Sequence, residues 1–415
     1  MSERRQLAAT VTIGGREYAT DAVPRGYRTD TELGLVLQDV VDGQVVHVAR
    51  DPDRGMYESR MTRTPCGDLL LMIVDGGHYA HTAEKCNDML AYRSSDDGTT
   101  WTGPTIAFDI DYSQHGFVPL CPRGSDRIHA FGTQPIPGRW TRERGLGENA
   151  PIGWRTSDDD GHTWSDVRLI EPVNDPGFTG MSVMRMCETG TGTWLIGSHE
   201  GDWSYKPLMT RQYILRSENR GDTWELLPDP RHGGWCVLEY NRMDEGRPIS
   251  LGGEEVLLMI RTPEGHLWAS WSEDDGRTWS RPEPTSLVHP CAPPMLFHLS
   301  DGETLIAFHH NRHSVTKEAY AGLGKNPEAF MDRSEIWFAT STDKGHTWSD
   351  PRFVSANALE PSFDRPWRNH QCSYMDAVIE NGTIQLIVPH RWERVLHLRF
   401  KEADLDTMAI REELE

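Results

Sequence analysis

A chain of 415 residues is longer than a single hydrophobic core ordinarily serves, unless repeated units each bury a face against the next. Its formal charge of −21 works against binding to nucleic acid or to anionic lipid surfaces, and it admits an acidic ligand only where local arginines overcome the global field. Seven cysteines stand singly between Cys66 and Cys372 with no CxxC pair, which argues against a disulfide framework and a zinc knuckle.

In chain order, residues 1–42 read as an N-terminal extension and 43–51, GQVVHVARD, as a strand. The first 14 residues, MSERRQLAATVTIG, hold no apolar run of leader length, and no stretch approaches the ~18 apolar residues of a membrane span. A soluble cytoplasmic protein is expected. Hairpins follow at TPCGDLLLMIVD, ETGTGTWLIGSH, GGEEVLLMIRT, LSDGETLIAFHH and YMDAVIENGTIQLIVPH, each with glycine at or beside its turn and an apolar run of strand length. The last leads into RVLHLRF, and residues 401–415 form a tail. Residues 315–332 break the spacing and read as a long loop insertion.

Between these hairpins one frame recurs, Ser-x-Asp-x-Gly-x-Thr-Trp: SSDDGTTW (94–101), SDDDGHTW (157–164), SENRGDTW (217–224, with Asn219 in the Asp place), SEDDGRTW (272–279) and STDKGHTW (341–348). The copies are 63, 60, 55 and 69 residues apart, a period that points to stacked supersecondary units. Physically the frame is a tight turn. The Asp or Asn oxygen accepts backbone N–H groups, the Gly takes positive φ, and the Trp packs on its own unit.

In a ring of such units the innermost strands line a central channel, and residues at their starts share a rim with those just past the next strand's end. That geometry selects Glu58, Arg60, Asp75 and His78, then His115 and Gln134, then His199 and Glu200. Further along it selects Glu239 and Arg261, then His310, Asn311 and Arg312, and finally Tyr374, His390 and Arg391. Recurrence of ionisable residues at one topological point is what a polar substrate pocket requires. Taken singly, most such histidines cap or solvate loops. Arg261, directly after the buried run VLLMI, is the strongest pocket candidate. Asp332, Arg333 and Glu335 read as an ion-pair cluster.

The repeated frame resembles the Asp box, or BNR repeat, of the sialidase (neuraminidase) superfamily, and the resemblance covers roughly residues 44–400. It implies an all-β, six-bladed β-propeller over 43–400, with an N-terminal strand completing the last blade. It also implies a glycoside hydrolase with a tyrosine nucleophile, a glutamate that activates it, an aspartate acid/base and three arginines on a substrate carboxylate. On this chain the tyrosine would be Tyr374, in QCSYMDAVIENG, and the glutamate Glu239, in VLEYNRM. The second arginine would be Arg261, and the acid/base Asp75 or Asp88. The sequence departs from the pattern at the first arginine, where MYESRMTRTP offers Arg60, and at the third, where HPCAPPM offers none. An incomplete triad implies a small, acidic saccharide other than an ordinary sialoside. A uronate lyase using a His or Tyr base and a non-catalytic glycan-binding propeller are the alternatives. No cofactor or local metal motif is implied, and the expected partner is a saccharide rather than nucleic acid or membrane.

Overall fold

The computed structural model describes residues 6–50, 58–75, 87–110, 116–134, 149–202, 204–205, 208–238, 240–312, 332–361 and 372–410. The insertion expected at 315–332 lies, apart from its last residue, outside them. The apolar runs form strands and the glycine-bearing turns join them into six antiparallel blades of a β-propeller. Blade 1 runs from the inner strand Ser59–Arg63 out to Thr102–Ile110, blade 2 from Phe117–Leu120 to Arg168–Ile170, and blade 3 from Met186–Glu188 to Glu225–Leu227. Blade 4 runs from Asp244–Gly252 to Glu283–Val288 and blade 5 from Met295–His298 to Arg352–Asn357. Neighbouring inner strands meet around the central channel.

Blade 6 draws on both halves of the chain. Asp376–Glu380, Thr383–His390 and Arg394–Lys401 are joined by Asp42–Val48, which pairs antiparallel with Arg394–Lys401. The N-terminal residues also lengthen blade 5, whose outer strand carries Leu35–Gln38 and then Tyr27–Asp30. Each pairing covers strand N–H and C=O groups that would otherwise form an open edge.

Hydrophobic cores lie between blades. Leu71, Ile73 and Leu90 of blade 1 pack with Val378, Ile387 and Val395 of blade 6. Phe131 and Trp154 of blade 2 pack with Trp194 and Leu215 of blade 3. Each such side chain contributes ~1.5–3 kcal/mol on burial, so the units hold one another.

The recurring eight-residue frame forms the same turn each time. In the second copy the Ser157 hydroxyl receives the Gly161 N–H at 2.7 Å, and Asp159 receives the Thr163 N–H at 2.8 Å and the Thr163 hydroxyl at 2.6 Å. Trp164 Nε1 closes the turn on the Gly161 carbonyl at 3.2 Å. The residue before each glycine also takes positive φ: Asp97, Asp160, Arg220, Asp275 and Lys344 lie between 53° and 61°. The four or so hydrogen bonds of the turn offset that cost.

Candidate active site

Tyr374 enters blade 6 two residues before the inner strand Asp376–Glu380 and is almost fully buried. Its hydroxyl donates to Glu245 Oε1 at 2.7 Å. Arg261 closes the triangle, with Nη1 at 2.5 Å from Glu245 Oε2 and 3.3 Å from the phenol oxygen. Three chain segments more than 100 residues apart at the extremes thus share one hydrogen-bonded unit.

Local sequence shapes each arm. The inner strand of blade 4 begins Asp244-Glu245-Gly246-Arg247, and its register shifts between Asp244 and Arg247. At this bulge Glu245 adopts φ 51°. Gly246 is required beside it, since a Cβ there would lie 2.6 Å from the Gln212 side-chain amide. The Glu245 N–H donates to His199 Nδ1 at 3.3 Å. Tyr374 is likewise at φ 63°. Positive φ in bulky residues is rare and is held only where surroundings over-determine it.

Two more guanidinium groups converge on Tyr374. Arg60 donates to its carbonyl oxygen at 3.0 Å and pairs with Glu58 at 3.0 Å. Arg333, 1% exposed, stands 5.8 Å from the centre of its ring and is pinned by Ser373 Oγ at 2.8 Å and the Cys291 carbonyl at 2.6 Å. Arg261 also has its Nε 3.2 Å from Cys291 Sγ and 3.4 Å from Asp244.

Burial raises the Tyr374 phenol well above its usual 10, and the Glu245 carboxylate adds to the rise, while Arg261 and Arg333 oppose it. Burial lowers the Arg333 guanidinium to about 10, with Arg261 pushing the same way. For Arg261 burial also lowers the value, but Cys291, Glu245 and Asp244 outweigh it and carry the group well above the ordinary guanidinium value. A neutral phenol donating to a carboxylate that an arginine backs can pass its proton along the 2.7 Å hydrogen bond.

Glu239 lies outside the described residues, and the carboxylate on Tyr374 belongs to Glu245, because Val237 and Arg242 pair across a turn and the strand starts only at Asp244. Of the expected ion-pair cluster, Asp332 and Glu335 pair with Arg312, whereas Arg333 is buried as the third arginine beside Tyr374, delivered from the start of the third strand of blade 5. A Glu-Gly at a strand start sixteen residues before Arg261 was the available signal for Glu245.

Other expected pocket residues stand apart from the triangle. Asp75 and Asp88 face each other across blade 1, and both hold Arg50, Asp88 at 2.5 Å. Arg312 pairs with Glu335, and with Asp332 at 3.5 Å. His310 is fully buried, stacks on His289 at 5.0 Å, and puts Nδ1 on the Glu335 carbonyl at 2.7 Å; burial lowers it to about 3. Asn311 follows it at φ 47° with its N–H on His309. His390 meets Asn357 at 2.9 Å and Arg394, and Arg391 donates to the Glu360 carbonyl at 3.1 Å. Each of these polar groups has a partner near its strand end, as a buried polar group requires. Glu200 is raised by burial and by Asp175, and it hydrogen-bonds Tyr213. Gln134 is buried at the end of its strand, its N–H on the Pro151 carbonyl. His78 and His115 lie outside the described residues. Among the described residues no group of three or more His, Cys, Asp or Glu is placed to hold a metal ion.

A family profile described as a BNR repeat-like domain matches residues 111–386. No curated protein matches the sequence. Solved structures share the fold. The Hadza microbial sialidase Hz136 is 19% identical with a TM-score of 0.64, over 88% of this chain and 69% of its own. The NanB sialidase from Streptococcus pneumoniae is 12% identical with a TM-score of 0.58, over 87% and 71%. The intramolecular trans-sialidase from Ruminococcus gnavus, solved with oseltamivir carboxylate, is 14% identical with a TM-score of 0.57, over 87% and 97%.

Proposed function

The chain belongs to the BNR repeat-like family, and from that premise we propose that it is a sialidase-like glycoside hydrolase cleaving a small acidic saccharide at the channel mouth. One observation carries the reading: the Tyr374 hydroxyl donates to Glu245 at 2.7 Å while Arg261 touches both. A binding surface has no need of a buried Tyr–Glu pair held at positive φ on both sides.

In the proposed reaction the Tyr374 O–H proton moves to Glu245 and the phenolate oxygen bonds to the anomeric carbon. The glycosidic C–O bond breaks with its electron pair on the leaving oxygen, which takes up a proton. Asp75 and Asp88 are the proposed donors, and half-exposed Arg50 would swing aside for either to reach. Water then attacks the anomeric carbon and gives a proton to the aspartate that had lost one; the bond from that carbon to the tyrosine oxygen breaks with its electron pair on the phenolate, which recovers its proton from Glu245. Arg60, Arg261 and Arg333 would grip the substrate carboxylate, the geometry that bidentate guanidinium recognition favours. Three carboxylates, Glu58, Asp244 and Glu245, already offset these cations, so the acid must be matched by shape as well as charge. With Arg333 as a third arginine, an incomplete triad no longer counts against an ordinary sialoside, and sialosides stand beside other acidic saccharides as candidates.

The test is hydrolysis of aryl glycosides of sialic acids, uronic acids and neutral sugars, reading reducing ends together with the absorbance of unsaturated products. Release of an acidic sugar that disappears in Tyr374→Phe supports the proposal. Hydrolysis that survives Tyr374→Phe overturns the nucleophile, an unsaturated product replaces hydrolysis by elimination, and silence across the panel removes the activity.

A further inference from the structure

Beyond the Tyr374 site, the same channel carries a second cationic site facing the opposite mouth. The inner strands end there at Arg63, Glu188, Gly252 and His298, around a cavity of about 400 Å³. Arg185 and Arg247 line it, and both lean on one oxygen of Asp376, at 2.6 and 3.5 Å. The other oxygen of Asp376 is spent on the Met61 N–H at 2.9 Å. Two cations therefore divide a single carboxylate oxygen.

Arg247 is the less satisfied of the two. It is 3% exposed, its one polar partner among the described residues is Asp376 at the long distance of 3.5 Å, and its other support is the face of Phe297, 4.1 Å from the ring centre. Arg185 sits 6.0 Å from the same ring centre. The Arg247 N–H groups that Asp376 does not take border the cavity, and an oxyanion between the two arginines would supply acceptors for them. Burial lowers Arg247 to about 9, in keeping with a cation short of countercharge. The neighbouring charges do not supply it: Arg63 is held by Asp97 and Glu380, and Glu188 by Arg123 and Arg220.

We propose that Arg185 and Arg247, over Phe297, form a binding site for a small oxyanion, a phosphate or a carboxylate group, at the channel mouth opposite Tyr374. The site does not depend on the glycosidase reading and stands or falls separately. Calorimetric titration of the full chain with inorganic phosphate, and separately with glucuronate, tests it. With phosphate a saturable site is expected, with affinity at least tenfold weaker in Arg185→Ala and in Arg247→Lys and unchanged in Arg333→Gln; with glucuronate the component that Arg185→Ala weakens and Arg333→Gln leaves is the one assigned here. Arg185, partly exposed, provides a variant that keeps its fold should Arg247→Lys not. Preference between the two titrants decides whether phosphate or a sugar acid is the natural group. Absence of saturable binding overturns the site, as does binding that Arg333→Gln abolishes and Arg185→Ala leaves intact, since the anion then sits beside Tyr374.

Discussion

The rim turns and the channel mouth use the same strained backbone for opposite reasons. At the rim, Asp97, Asp160, Arg220, Asp275 and Lys344 take positive φ, each followed by a glycine and enclosed by hydrogen bonds that span only four residues. At the mouth, Glu245 and Tyr374 take it while buried, and what holds them is each other, across 129 positions of sequence. The rim conformation is local and repeats; the mouth conformation exists once and only in the assembled ring. Backbone strain at the rim builds the scaffold, whereas at the mouth it aims two side chains at one another.

Substitution should separate the two regions cleanly. Tyr374→Phe is expected to lower turnover by more than ~10³-fold while shifting stability by no more than about 3 kcal/mol, because the hydroxyl's two hydrogen bonds, to Glu245 and from Arg261, are lost. Parallel rate assays and denaturant titrations check this, and a collapse of stability with activity would erase the distinction. Glu245→Gln is expected to cost about 10²- to 10⁴-fold in rate. It should also bring the Tyr374 phenol down toward its usual value, because the carboxylate is one of the causes holding it up; ultraviolet titration of tyrosinate reads the direction.

At the rim the expected effects are on folding alone. Gly161→Ala forces a Cβ into φ 81° and to 2.7 Å from Leu70, at a cost of about 2 kcal/mol with the rate per folded molecule unchanged. The pH limits should differ too. Asp159 and Asp343 are held at about 2 by Thr163 and Thr347, against an ordinary 3.8, so their contribution is present above about 4 and is lost as pH falls through 2. Tyr374 works in the other direction. Raised above 10, it contributes fully below that pH, and its contribution is lost as pH rises from 10 through its folded value. Melting curves against pH should therefore show a shallower acid limb in Asp159→Asn, where Asp343 still contributes, and a shallower alkaline limb in Tyr374→Phe. The smallest effect is expected for Arg50→Gln, below about 1 kcal/mol, since that ion pair is half-exposed and screened.

Residue by residue, what could be read without coordinates follows one rule. The eight-residue turns, the glycines in them and the apolar runs between them act over a few positions. Five copies in one order therefore announced a ring of antiparallel units and put Tyr374 and Arg261 at its mouth. Tertiary structure alone decided which glutamate meets the tyrosine, since a turn at 237–242 delays the strand and passes the place to Glu245. It alone placed Arg333, read as one of an ion-pair cluster, as a buried cation beside Tyr374, and chose the partners of His310, His390 and Arg391. The physical reason is range. A turn is settled by hydrogen bonds among neighbours in the chain, whereas partners 129 and 113 residues apart are chosen by how the blades close on one another.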